Sequence, residues 1–373
     1  MTVSVAKAGP YYASGEIKFS SLRSNFRAQT RKESSGGSET FSTDTNPIKA
    51  SDLIRNTTTT DTNPIVPDAT ENSGIVSSES NWKSSQFRNS IKFYYIQQSG
   101  TDLNFDIDAQ TWNSNLVKNI IKVAFIEGTC GSDTVSSSAA DFNATAYNFT
   151  IDVGGNIYGA AGRGGGTGSG APDPSGQTGG NALTMASSGG NNVVVNVRST
   201  GKIYGGGGGG ERGAQGSNGA NGECVERTRV QSGCQQSDTA RCPDGWNQYN
   251  SGHQCCEYRR GCNANIWWKE CERKYSTSGG TGGAGGTGGL GRGYNNQSGS
   301  LSGAGGSSGS SGGGCGAQNG GTGETGGSGG DWAAAGGNTS NSGTGGSSGS
   351  AISGSNYSVT GILTLDTIKG SYL

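Results

Sequence analysis

The sequence predicts a mainly β and irregular protein: a small N-terminal β module, then a glycine-rich polyproline II helix sandwich interrupted by a disulfide-rich insert. Three observations carry this. Glycine accounts for 72 of 373 residues, where an average chain has about 7 %. In several separate tracts the pattern repeats every third residue. Finally, seven of the 9 cysteines lie between Cys224 and Cys271. The predicted organisation is an extended N-terminal arm (1–79), a small β-rich module (80–147), a first glycine-rich part (148–223), a cysteine-rich insert (224–275), and a second glycine-rich part with a closing strand (276–373).

The glycine tracts define the chain. Gly279–Gly293 reads GGTGGAGGTGGLGRG, with Thr281, Ala284, Thr287 and Leu290 at every third position. A helix repeats at 3.6 residues and a strand at two; a period of three belongs to polyproline II. Glycine on two of three edges lets neighbouring backbones approach closely. Gly/Ser-rich sequence by itself reads as flexible linker. Recurrence of the period at Gly213, Gly216, Gly219 and Gly222, at Gly303, Gly306, Gly309 and Gly312, and at Thr322, Thr325, Ser328 and Asp331 points to a stack of ordered glycine helices. Collagen is disfavoured, because the register keeps breaking and there are only 7 prolines. Within this lattice Gly283 and Gly286 are taken as positions where a Cβ would enter a backbone contact.

The arm opens with Gly15–Arg23 (GEIKFSSLR), in which Ile17 and Phe19 mark a short strand and Ser20 or Ser21 caps a turn carrying Leu22 and Phe26. Asp44-Thr45-Asn46-Pro47-Ile48 returns as Asp61-Thr62-Asn63-Pro64-Ile65; Asn-Pro disfavours helix, so this is an extended segment. In the β-rich module, strands are predicted at Ile91–Ile96 and Lys122–Ile126. The alternating Leu103, Phe105 and Ile107 suggest a third. Trp112–Ile121 is read as a short helix or strand, and Trp82, Trp112 and Phe125 are core candidates.

An internal duplication follows. Phe149–Val153 leads to Gly155-Asn156-Ile157-Tyr158-Gly159 and a glycine tract; forty-six residues on, after Val193–Val197, comes Gly201-Lys202-Ile203-Tyr204-Gly205 and another. Ile157, Tyr158, Ile203 and Tyr204 are predicted to anchor the lattice, which has few apolar side chains of its own. Tyr357–Leu365 is read as a closing strand.

Hydrophobic content of 29 % is low for one large core, and a net charge of −1 makes no electrostatic case for nucleic acid. No run is long enough for a transmembrane helix, so no membrane insertion is expected. Cysteine density suggests disulfides and an oxidising environment, while Met1–Tyr12 lacks the apolar core of a secretory signal. Catalytic motifs are absent: the single histidine, His253, sits beside Cys255 and Cys256. The spacing of Cys224, Cys234, Cys242, Cys255, Cys256, Cys262 and Cys271 supplies no zinc pairs. Gly205–Gly210 lacks the Lys-Ser/Thr of a phosphate loop. The expectation is a non-enzymatic binding or structural protein with no cofactor and no metal.

The insert is the specific feature. It mixes Trp246, Tyr249, Tyr258, Trp267, Trp268 and Tyr275 with Arg227, Arg229, Arg241, Arg259, Arg260 and Arg273. Binding surfaces are rich in aromatics and arginine, so these rings are the receptor-binding candidates; the alternative is that they form the insert's own small core. The seven cysteines are disulfide candidates that form at most three bridges inside the insert. Cys130 and Cys315 lie outside it, and the odd total leaves at least one thiol free or joined to another chain.

Gly15–Arg23 is similar to the pattern G-x-I-x-F-S-x-L-R near the N-terminus of tail-fibre and structural proteins of tailed phages, those of marine cyanophages above all. The Ile-Tyr-Gly glycine tracts with inserts between them resemble the glycine-rich tip adhesins of T-even-type long tail fibres. The resemblance implies a layered sandwich of glycine helices whose intervening segments contact the receptor. It also implies a virion location, other tail proteins and a host surface glycan or outer-membrane protein as partners, attachment through the N-terminal arm, and a homo-oligomer, with a trimer favoured. The rival readings are a purely structural virion or extracellular filament protein joined through glycine edges, and an ice-binding protein.

Overall fold

The computed structural model describes residues 3–8, 29–32, 38–41, 53–58, 66–78, 83–87, 90–91, 93–166, 173–185, 193–235, 240–255, 265–341 and 343–372. Outside them lie Gly15–Arg23, both Asp-Thr-Asn-Pro-Ile repeats, Trp82, Cys256, Tyr258 and Cys262. The chain divides into two compact units. One comprises Met1–Arg212, Thr287–Ala304 and Gly326–Leu373; the other, Gly213–Gly286 and Gly305–Thr325.

The first unit is built on a parallel β-solenoid. Strand β1 (Val3–Ala8) runs antiparallel to the first solenoid strand, and β2 (Gln29–Lys32) forms a hairpin with β3 (Ser38–Phe41). The coils follow: β4 (Phe93–Gln98), β5 (Thr101–Leu103), β6 (Phe105–Asp106); then β7 (Ile121–Ile126), β8 (Thr129–Gly131), β9 (Ala140–Phe142); then β10 (Phe149–Val153), β11 (Asn156–Tyr158), β12 (Leu183–Met185); then β13 (Val193–Val197) and β14 (Lys202–Tyr204). Residues 205–351 are a long excursion that includes β15 (Gly222–Gln235), β16 (Asn247–Cys255) and β17 (Asn265–Thr277). The fourth coil is completed by β18 (Ile352–Gly354), and a last one adds β19 (Tyr357–Gly361) and β20 (Ile368–Lys369). Corresponding strands stack in three sheets: β4-β7-β10-β13-β19, β5-β8-β11-β14-β20, and β6-β9-β12-β18. The described helix content is two short 3-10 turns, Thr70–Asn72 and Ser84–Phe87.

Parallel sheets bury both their strands and their crossovers, and they favour branched apolar residues. The register shows this directly. Ile96, Ala124, Ile151 and Val195 form one row across four coils, all fully buried. Ile157 sits between Cys130 and Ile203, and Leu183 between Ala140 and Ile352. Each such Val, Leu or Ile stabilises the fold by about 1.5–3 kcal/mol. The corner after the first strand is made of glycines stacked coil on coil. A Cβ on Gly155 would lie 2.0 Å from the Gly128 carbonyl oxygen, and one on Gly128 would lie 2.0 Å from that of Gly100. The duplication is therefore a pair of adjacent coils, with Phe149–Val153 beside Val193–Val197 and Ile157-Tyr158 beside Ile203-Tyr204.

Three expectations need correction. Leu103, Phe105 and Ile107 do not share a strand. Asn104 adopts a left-handed φ of 50°, the chain turns a corner there, and β5 and β6 belong to different sheets. Leu103 is half exposed while Phe105 and Ile107 are buried. Trp112–Ile120 is turn rather than helix or strand, with Trp112 buried against Phe149 and Tyr94. The closing strand stops at Gly361, where φ is 97°, so Ile362, Leu363 and Leu365 are exposed. Strands β7 and β10 pair directly in parallel register.

The glycine segments carry neither helix nor strand and bond to one another at every third residue. Within the first unit, Gly207 and Gly210 donate to the carbonyls of Arg292 and Gly289. Gly206 and Gly209 donate to Gly180 and Gln177, and Gly208 and Glu211 to Ala334 and Gly337. Successive residues of one segment thus address three different neighbours. In the second unit, Gly213, Gly216 and Gly219 donate to Gly286, Gly283 and Gly280. Those three donate to Glu324, Gly321 and Gln318, which donate in turn to Ala214, Ser217 and Ala220, closing a triangle of segments. Backbone proximity is what requires glycine here. A Cβ on Gly283 would lie 1.9 Å from the Ser307 carbonyl oxygen, and one on Gly209 would lie 1.8 Å from that of Arg163. Gly286 is buried and donates to the Glu324 carbonyl at 2.9 Å.

Candidate functional site

The second unit carries a three-stranded antiparallel sheet in the order β15-β17-β16. Alternation along paired strands sorts its side chains onto two faces. Val225, Arg227 and Arg229 stand across from Lys274, Glu272 and Glu270 on one face; Glu226 and Thr228 stand across from Arg273 and Cys271 on the other. The strands are long because the segment has β-branched and aromatic residues and no proline between Gly222 and Gln235 or between Asn265 and Thr277.

Four of the candidate rings, Trp246, Tyr249, Trp268 and Tyr275, meet an arginine. Arg227 lies 5.0 Å from the ring of Tyr249 and pairs with Glu272 at 3.2 Å. Arg229 lies 4.4 Å from Trp268. Arg273 serves both Trp246, at 5.1 Å, and Tyr275, at 5.5 Å, while donating to Glu226 at 2.6 Å. The Glu226 carboxylate, hydrogen-bonded by Arg273 and then by the Tyr275 hydroxyl, is held below the usual carboxylate range. Tyr249 and Tyr275 remain 48 % and 40 % exposed. Trp246, Trp267 and Trp268 are half-buried. Trp268 is fitted to the sheet: a Cβ on Gly252 would come within 2.3 Å of its indole. The Trp267 backbone N–H donates to the Ser232 hydroxyl at 3.0 Å. A shallow cavity of about 440 Å³ is lined by Val225, Arg227, Glu272 and Lys274.

Among the described residues, two disulfides hold this sheet. Cys242–Cys271 joins β17 to the loop before β16. Cys224–Cys315 ties the start of β15 to the turn Gly314–Gly316, across 91 residues. The second pairs a cysteine of the insert with one outside it. In the chain-entropy view, loops of 29 and 91 residues contribute about 3.5 and 4.5 kcal/mol. Cys130 is a free thiol buried in the solenoid; burial raises its pKa well above the usual range. Cys234, His253 and Cys255 lie on β15 and β16, and their side chains fall outside what the structure describes.

The anchor residues gather where solenoid strands run into glycine segments. Ile157 and Ile203 are fully buried in the core. The rings of Tyr158 and Tyr204 lie 5.5 Å apart, tilted by 32°, and Trp332 lies 4.8 and 5.5 Å from them. Trp332 carried no periodic signal in the sequence. A second feature not foreseen is the convergence of Asp106, Asp108 and Asp141, whose carboxylate oxygens lie within 4.8 Å of one another; in-register pairing of β6 with β9 brings the first and last together.

At three positions an amide side chain takes a backbone carbonyl's place. Asn218 Oδ1 accepts from the Gly282 N–H at 2.9 Å, Asn221 Oδ1 from Gly279 at 3.0 Å, and Asn319 Oδ1 from Gly312 at 3.0 Å.

Neither a family model nor a curated protein matches this chain. A solved structure does. It is the gp37–gp38 adhesin tip complex of the bacteriophage S16 long tail fibre, similar over 80 % of this chain and 89 % of that one, at 20 % identity and a TM-score of 0.36. Among the described residues, no helix is long and apolar enough to cross a membrane.

Proposed function

We propose that this chain is a virion tail-associated adhesin or fibre protein that binds the host cell surface through loops on a rigid glycine-rich scaffold. One observation carries the reading: a sheet stapled by disulfides leaves Tyr249 and Tyr275 close to half exposed, each with an arginine set on its ring. A surface serving only its own stability would cover such rings, and aromatic-arginine clusters are what binding hot spots use. The threefold bonding of the glycine segments supports their reading as polyproline II helices. The N-terminal sequence pattern supports attachment of residues 1–79 to other tail proteins in the virion, and the resemblance to fibre proteins supports a homo-oligomer, with a trimer favoured. The role is binding, with no catalytic step.

The test replaces residues 224–275 with a short Gly-Ser turn, with Cys315→Ser to remove the orphaned thiol. The glycine segments should remain protease-resistant while adsorption to host cells is lost. Adsorption that survives overturns the assignment to this sheet.

A filament protein joined through glycine edges is the second reading, favoured by Gly305, where an added Cβ meets nothing within 4 Å. Concentration-dependent polymerisation of the purified chain would support it. An ice-binding face is disfavoured because the Thr281 hydroxyl is engaged with that of Ser310 at 2.9 Å.

A further inference from the structure

We propose that the face of the β15-β17-β16 sheet bearing Tyr249 recognises an uncharged glycan, through pyranose stacking and hydrogen bonds to vicinal hydroxyls. This rests on the adhesin reading and names the ligand class.

Charge decides against an anionic partner. Arg227 is matched by Glu272 at 3.2 Å and Lys274 by Glu223 at 3.4 Å, and Arg229 stands opposite Glu270 in the strand register. A polymer carrying phosphates or carboxylates binds by neutralising cations. Here it would have to displace carboxylates already in place and would bring its own charge close to them. An uncharged polyhydroxyl ligand meets no such repulsion. The Arg227–Glu272 pair presents donors beside an acceptor, the combination that two neighbouring hydroxyls need, each able to donate and accept.

Shape points the same way. Tyr249 is steadied by Arg227 yet 48 % exposed, and Val225, on the same face, is 45 % exposed. A ring and a small apolar patch suit the C–H face of a pyranose. The cavity lined by Val225, Arg227, Glu272 and Lys274, about 440 Å³, falls within the roughly 300–1,000 Å³ of small-ligand sites. It is shallow, so one site holds weakly and repeated copies supply avidity.

The full chain is tested on immobilised neutral hexose oligosaccharides beside phosphorylated and sialylated ones, at low and high salt. Binding should be to neutral glycans and indifferent to salt. Tyr249→Ala should weaken it about tenfold or more, Tyr249→Phe should retain most of it, and Arg227→Gln should weaken it. Thermal unfolding of each variant shows whether the fold is kept. Binding restricted to anionic glycans, loss of binding in salt, or full binding by a folded Tyr249→Ala overturns the proposal. Whole cells separate it from the adhesin reading. Adsorption that survives periodate oxidation of surface sugars but not proteolysis overturns the glycan assignment and leaves the adhesin reading standing. Absence of adsorption to untreated host cells overturns both.

Discussion

Lys122 is fully buried in the inward row of β7, between Tyr94 and Phe149 on the adjacent strands. Its ammonium donates to the carbonyls of Lys118 and Ile120, both at 2.7 Å. Burial lowers its pKa to about 7. Between that value and the unfolded value of about 10.4 the unfolded chain binds the extra proton, so stability rises with pH across the window and is lost as pH falls towards 7. The cost at neutral pH is about 4 kcal/mol, offset in Lys122→Met by two freed carbonyls at about 1 kcal/mol each. Lys122→Met should therefore unfold at higher urea than the parent at pH 7, with the gap closing towards pH 10. Asp141 behaves in the opposite sense. Burial, then Asp106 and Asp108, raise its pKa to about 6, so the folded state holds the proton longer. Stability present below the unfolded carboxylate pKa is lost as pH rises through about 6. Asp141→Asn should raise the thermal midpoint at pH 7 and have little effect near pH 3.5. Neither group was legible beforehand, because which coil faces which depends on a register that no local pattern encodes.

At the scale of elements, the period of three was legible and the partners were not. The spacing of Thr281, Ala284 and Thr287 marks one exposed edge, yet nothing in it says that Gly283 lies on Ser307 and Gly305 on nothing. Two substitutions separate these cases. Gly283→Val should destabilise by about 3 kcal/mol or more and open the second unit to protease. Gly305→Val should leave proteolysis unchanged. Similar protease resistance in both would sink the close-packed reading of these segments. Gln215, Asn218 and Asn221 hold the same period in the sequence, and two of them accept backbone N–H groups of the neighbouring segment. The arginine-ring pairs were likewise visible as composition. Their pairing required the β15–β17 register, and the Cys224–Cys315 bridge required knowing that the Gly314 turn returns to the base of the sheet.

Across the whole chain, glycine segments leave the solenoid at the same place in consecutive coils. Residues 159–182 lie between β11 and β12, and residues 205–351 between β14 and β18. The long strands of the first face could be read from Val, Ile and Phe content. The third face could not, since β12 and β18 are three residues each, too short for any alternation to register. The last coil closes the stack: β19 covers β13, and Ile368 of β20 sits beside Ile203. Deleting residues 355–373 should expose that row and lower the thermal midpoint sharply. Leu365→Ser, at a position 81 % exposed, should stay within about 0.5 kcal/mol of the parent.

The amides at the segment edges set a chemical clock. Asn218 and Asn319 are each followed by glycine, the pairing most prone to ageing in a mobile chain. There the glycine nitrogen attacks the side-chain amide, ammonia leaves, and the resulting succinimide hydrolyses to aspartate or isoaspartate. Here the attacking nitrogens are engaged, Gly219 with the Gly280 carbonyl and Gly320 with that of Ser310. The amide oxygens are engaged as well, with Gly282 and Gly312. Closed segments hold both reactants apart, so isoaspartate at these two positions would accumulate only in molecules whose segments have opened, and its yield would date the loss of order.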